Sequence, residues 1–114
     1  MRRQRGSGRV CHVHLPGVRW SVIRSVVISK QAQKDLARVP RHIVLNLRTW
    51  VEAVEADGLE EVRRIPGYHD EPLKGRRAGQ RSIRLSRAYR AIYVVGANEG
   101  VEFVSIEEVS KHDY

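Results

Sequence analysis

The residues between 43 and 54 constrain this chain most. Ile43, Val44, Leu47, Trp50, Val51 and Val54 recur three and four positions apart, the spacing that lines one side of an α-helix, while Arg41, Arg48, Thr49, Glu52 and Glu55 fall on the other side. Pro40 closes whatever precedes this helix and Gly58 supplies its stop. A helix with a single apolar stripe has to cover it with a second layer, and the rest of the sequence offers strands for that purpose. From Arg81 to Ser86 the period becomes two: Ile83 and Leu85 share a face with Arg81, and Ser82, Arg84 and Ser86 share the other. Tyr89 to Val95 and Val101 to Val109 read as two more strands, joined through the turn-rich residues 96–100.

Upstream, Val22 to Ile28 is a β-branched run that reads as a buried strand. Ser29 follows as a helix N-cap, with Ala32, Leu36 and Val39 at helical spacing. Asp57 and Glu60 resemble a capping box for a short third helical turn that Pro66 and Gly67 end. This order predicts an α+β fold: a small antiparallel sheet in β-α-α-β-β-β order with two helices packed on one face. A chain of 114 residues has room for one such domain, expected over residues 21–114. Residues 1–20 are rich in Arg, Gly and Ser without a sustained period, which reads as a flexible basic extension.

Charge is distributed unevenly along this plan. The formal net charge is +8, but residues 1–24 hold six arginines and no acid, which leaves the remainder at only +2. Within that remainder, Lys74, Arg76, Arg77, Arg81, Arg84, Arg87 and Arg90 fall in 17 consecutive residues free of Asp and Glu. Seven of the 13 acids crowd between Glu52 and Glu71, upstream of that block. Such a basic block points to a polyanionic partner, and its arginines offer planar forks of donors that match a phosphate. Exposed strands kept soluble by charge would read the same way in isolation.

Cys11 is the single cysteine, so no intrachain disulfide is expected and a cytoplasmic setting is the default. No run approaches the roughly 20 apolar residues of a membrane helix, and the first arginines are not followed by the apolar core of a secretory leader. Cys11, His12 and His14 invite a metal reading, but alternation separates the cysteine from the histidines and no second ligand cluster accompanies them, so no metal and no cofactor are expected.

Two further sites bear on chemistry. In His69-Asp70-Glu71-Pro72-Leu73-Lys74, Pro72 holds Glu71 extended, which displays its carboxylate from a loop beside Lys74. That arrangement suits either a solvated turn with a surface ion pair or an ionised carboxylate facing a phosphate site. At the C-terminal end, Lys111-His112-Asp113-Tyr114 follows the last strand; His112 has the side chain suited to proton donation near neutrality, and Tyr114 can stack on a base.

Taken in order, Val26-Val27-Ile28-Ser29 running into Ala32–Leu36, Glu71-Pro72-Leu73-Lys74-Gly75, and Arg81-Ser82-Ile83-Arg84-Leu85 through Tyr89-Arg90-Ala91-Ile92-Tyr93 with the terminal His and Tyr resemble the RelE/ParE superfamily of bacterial type II toxins. Within it the chain is most similar to the ribosome-dependent mRNA interferases of the RelE, YoeB, YafQ and HigB kinds. The resemblance covers about residues 22–114, and the basic extension has no counterpart in it.

The resemblance implies an endoribonuclease that attacks mRNA through its own 2′-hydroxyl, on the small-subunit decoding site of the ribosome, and that a cognate antitoxin holds inactive. It implies Glu71 as general base, Arg90 as stabiliser of the developing charge and His112 as general acid. It also implies Lys74 and Arg84 on the phosphate and Tyr114 beside the His, although Asp113 interrupts the expected His-Tyr order. Arg81 and Arg87 join Lys74 and Arg84 as expected substrate contacts because they share the basic block. Two alternatives stay open: a ParE-like inhibitor of DNA gyrase, and a non-catalytic nucleic-acid-binding module.

Overall fold

The computed structural model describes residues 22–111, so the expectations for residues 1–20 and for His112, Asp113 and Tyr114 lie outside the described residues. Three helices lie on one face of a five-stranded sheet. The helices are α1 (Lys30–Leu36), α2 (Arg41–Asp57) and α3 (Leu59–Arg63), and the strands are β1 (Val26–Ile28), β2 (Glu71–Pro72), β3 (Arg81–Arg84), β4 (Tyr89–Asn98) and β5 (Val101–Lys111).

Local signals place the helix ends. The Ser29 hydroxyl accepts from the Ala32 amide at 3.1 Å, satisfying one of the unpaired donors that open α1, and donates to the Glu107 carbonyl at 3.0 Å. Pro40 is the N-cap of α2, which buries Ile43, Leu47, Trp50 and Val54. Gly58 ends α2 with φ 88° and ψ 152°, a conformation that only glycine adopts at low cost. A side chain there would also collide with Val22, whose Cγ1 lies 2.3 Å from where a Cβ would sit. Gly58 is at the same time the N-cap of α3, so the expected Asp57 capping box does not form and no side chain caps that helix.

The strand order is β1-β5-β4-β3-β2. The expected meander β3-β4-β5 is antiparallel, but β1 pairs parallel to β5, with Val26, Val27 and Ile28 opposite Val104, Ser105 and Ile106. The sheet is therefore mixed, because the helical crossover returns the chain to the edge of β5 in the same direction. The β4–β5 hairpin is tighter than the turn-rich sequence suggested. Asn98 pairs with Val101, and Glu99 and Gly100 between them have φ 52° and 82°, the signs a two-residue type I′ turn requires.

One side chain row of each strand enters the core. Ile83, Leu85, Ala91, Tyr93, Val104, Ile106 and Val109 pack with Ile43, Leu47, Trp50 and Val54 of α2. The opposite face carries Ser82, Arg84, Arg90, Ile92, Glu108 and Ser110 by the same alternation. Between Ile92 and Tyr93 the register slips, leaving Glu107 as an extra residue on β5. Beyond Ile106, where β1 has ended, α1 takes over the edge of β5: the Asp35 carboxylate accepts from the Val109 amide at 3.0 Å and the Ser29 hydroxyl holds the Glu107 carbonyl.

Candidate nucleic-acid interface

Cross-strand partners point to the same face, so the register of the sheet locates the predicted residues. Glu71 lies opposite Ser82, Ser82 opposite Ile92, and Ile92 opposite Glu108, which makes one transverse row on the face away from the helices. Arg84, Arg90 and Ser110 form the next row. Glu71 does not hang in a loop: Pro72, with no N–H to give, suits the short edge strand in which Glu71 and Pro72 pair with Ser82 and Arg81. The carboxylate residue is nevertheless exposed, as is Lys74 two positions beyond the strand.

Arg84 and Arg90 stand directly opposite each other. Like charges in that relation destabilise a sheet unless something of opposite sign lies near them. Arg84 is exposed and Arg90 is half-buried beside it. The row containing Glu71 is fenced at its far end by Arg77, which donates to Glu108 at 3.0 Å and to Gln80 at 3.2 Å. This ion pair reaches from the β2–β3 connection to β5 across the row, and Ile92 within that row is only 3% exposed.

Arg81 does not join this group. It pairs with Tyr93 and therefore faces the helices, as its shared parity with Ile83 required. There its Nε donates to Asp70 Oδ1 at 2.6 Å, and the Tyr93 hydroxyl donates to Asp70 Oδ2 at 2.5 Å. The Asp70 side chain is wholly shielded from solvent. Burial lowers the pKa of Arg81, and the hydrogen bond and charge of Asp70 more than offset it, leaving the group raised. Tyr93 is raised well above the usual phenol range, first by burial and then by its hydrogen bond to Asp70. The cluster anchors the residue immediately before Glu71, so Arg81 acts on the edge strand and not on a ligand over the open face. Nothing in the local sequence marks Asp70 for this role, because its partners lie 11 and 23 positions away.

Arg87 is exposed on the β3–β4 turn. That turn is shaped by Ser86, whose hydroxyl accepts from the amides of Ala88 and Tyr89 at 3.1 and 3.2 Å. Arg84 and Arg87 also line a cleft of about 560 Å³ between α2 and this turn, which sequence reasoning did not anticipate. Among the described residues no group of three or more His, Cys, Asp and Glu is arranged to hold a metal ion, and no helix is long and apolar enough to cross a membrane.

This arrangement of helices and mixed sheet has counterparts among solved structures. A YoeB/ParE toxin from Agrobacterium tumefaciens superposes with a TM-score of 0.57 at 20% identity, the match covering 78% of this chain and 99% of that one. The fold is that of the RelE/ParE toxins. YafQ from E. coli matches with a TM-score of 0.60 at 18% identity over 78% of this chain and 93% of its own. The YoeB–YefM complex of Staphylococcus aureus gives 0.52 at 18% identity over 78% and 97%. No family model matches the sequence, and no curated protein does. The shared fold spans nearly the full length of these toxins.

Proposed function

We propose that this chain is the toxin of a type II toxin–antitoxin pair, a cytoplasmic endoribonuclease that cleaves mRNA on the ribosome and is silenced by an antitoxin covering the open face. The observation that carries the reading is the pair Arg84 and Arg90, directly opposite each other in the row next to Glu71, with Arg84 exposed to solvent. An antitoxin partner is supported by the solved complex of YoeB with YefM.

The chemistry follows from what RNA already supplies. Its 2′-hydroxyl is the nucleophile, so the enzyme has to align it, remove its proton, stabilise the charge that builds on phosphorus and protonate the leaving oxygen. Glu71 takes the 2′-hydroxyl proton as the 2′-oxygen bonds to phosphorus. Lys74, Arg84 and Arg90 face the non-bridging oxygens, where preorganised cations are worth most. His112, two positions after Ser110 in the sequence, gives its proton to the departing 5′-oxygen, and Tyr114 contacts the substrate. The products are a 2′,3′-cyclic phosphate and a 5′-hydroxyl.

Induced expression in a bacterial host tests this. Wild type should arrest growth and leave new mRNA ends with 5′-hydroxyl groups, and Glu71→Gln, Arg90→Ala or His112→Ala should each lower cleavage by about 100-fold or more. Growth arrest with intact mRNA and broken DNA would instead assign the chain to gyrase poisoning. RNA binding without new ends in wild type would reduce it to a binding module.

A further inference from the structure

We propose that the cleft between α2 and the β3–β4 turn is a nucleobase pocket, taking the base of a nucleotide that flanks the phosphate held by Arg84. This rests on the RNA reading above and names which part of the substrate confers sequence preference.

Location is the first argument. β2 pairs with β3 only as far as Ser82, so from Arg84 onward β3 is an open edge. The cleft lies against that edge, and Arg84 lines it while also standing in the row of Arg90. A nucleotide whose phosphate meets the arginine pair can therefore turn its base over the edge of the sheet and into the cleft.

Composition is the second. The cleft is lined by Asn46 and Thr49 of α2, Ile65 and Tyr68 from the segment after α3, and Arg84 and Arg87. No carboxylate lines it, two guanidinium groups do, and its walls include an aromatic ring and Ile65, which is 44% exposed with no core to join. An anion with a flat apolar body satisfies both halves of that lining, and unstacked RNA bases are read on such aromatic and polar walls. At about 560 Å³ the cleft also falls within the range of sites that enclose a small ligand and is short for a docked protein helix.

Fixed polar groups are the third. Asn46 donates through Nδ2 to the Leu85 carbonyl at 2.7 Å, which locks its amide and leaves Oδ1 as an acceptor of set direction. The Thr49 hydroxyl donates to the Leu45 carbonyl at 3.0 Å, which directs its oxygen lone pairs outward. Two oriented acceptors beside a stacking ring favour a base with an exocyclic amine, adenine, cytosine or guanine, over uracil.

The test uses isotopically labelled full-length Glu71→Gln protein, titrated with dinucleotides carrying each of the four bases and with inorganic phosphate, followed by amide chemical shifts. Dinucleotides bearing adenine, cytosine or guanine should move the amides of Thr49 and Tyr68 together with those of Arg84 and Arg90, and uracil-bearing ones should do so more weakly. Tyr68→Ala should weaken that binding about tenfold or more while leaving phosphate binding unchanged. Thr49→Trp, at an exposed helix position, should fill the cleft and erase the preference between bases. Shifts confined to Arg84 and Arg90 would overturn the pocket and leave the RNA reading intact. Cleft shifts reproduced by inorganic phosphate, or seen only with an antitoxin, would overturn it in favour of an anion site or a protein site. No response to any dinucleotide anywhere would remove both readings.

Discussion

Replacing Tyr93 by Phe deletes a single oxygen from a buried ionic group, the one centred on Asp70. The hydroxyl donates to Asp70 Oδ2 at 2.5 Å, and Asp70 is otherwise held by Arg81, with side-chain exposures of 24% for the arginine and 0% for the aspartate. The phenylalanine ring would keep the packing of Tyr93 against Trp50, whose ring centroid lies 5.2 Å away, so the change isolates one hydrogen bond to a buried carboxylate. Hydrogen bonds to charged groups contribute about 1.5–3 kcal/mol net. For a domain of this size each kcal/mol moves the midpoint by about 4–8 °C, so Tyr93→Phe should melt about 6–24 °C below wild type.

The same bond predicts a pH dependence with a definite sign. Because the pKa of Tyr93 is raised in the native state by burial and by Asp70, the folded protein keeps this proton where the unfolded chain, titrating near its ordinary value of about 10, has released it. The stabilisation is fully present below pH 10 and falls as pH rises, by about 1.4 kcal/mol at pH 11. Tyr93→Phe has no proton to keep, so its deficit should shrink by about that amount between pH 7 and pH 11. Urea unfolding of both proteins at the two pH values, read by far-UV circular dichroism, measures it. A deficit absent at pH 7, or one equally large at pH 11, would refute the claim that this hydroxyl is spent on Asp70.

Three further outcomes are expected. Gly58→Ala forces a side chain into a glycine-only conformation 2.3 Å from Val22 Cγ1, and should destabilise by about 1–3 kcal/mol in denaturant titrations. Ser29→Ala removes the cap of α1 and the tie to the Glu107 carbonyl, costing about 1–2 kcal/mol, with faster amide exchange at the end of β5. In the Glu71→Gln background, Arg84→Ala should lower the slope of log affinity for single-stranded RNA against log salt by about 0.7, the share of one phosphate contact.

How much was legible in the sequence follows from how far apart the deciding residues lie. The start of α1 and both ends of α2 were readable because Ser29, Pro40 and Gly58 act within a turn of themselves, and the faces of β3 were readable because alternation is local; α1 itself stops at Leu36, short of the Val39 that its spacing included. The same alternation put Arg81 with Ile83, against its grouping with the phosphate-facing arginines, and that is where the structure keeps it. The parallel pairing of β1, the pairing of Glu71 with Ser82 and the anchoring of Asp70 were not readable, since each depends on partners that only the finished sheet brings near. The cleft escaped for the same reason: α2, the segment after α3 and the β3–β4 turn each contribute part of its lining.

The pairing of Val26–Ile28 with Val104–Ile106 also decides when such a protein can exist during its own synthesis. β5 is the strand that joins β1 to β4, so a nascent chain that stops short of residue 101 has an orphaned first strand, an unclosed hairpin and no surface on which α1 can settle. No N-terminal portion amounts to a smaller version of the whole. A chain proposed to attack translating ribosomes therefore stays unassembled until β5 has been made and paired, and becomes a hazard only after its sheet has closed.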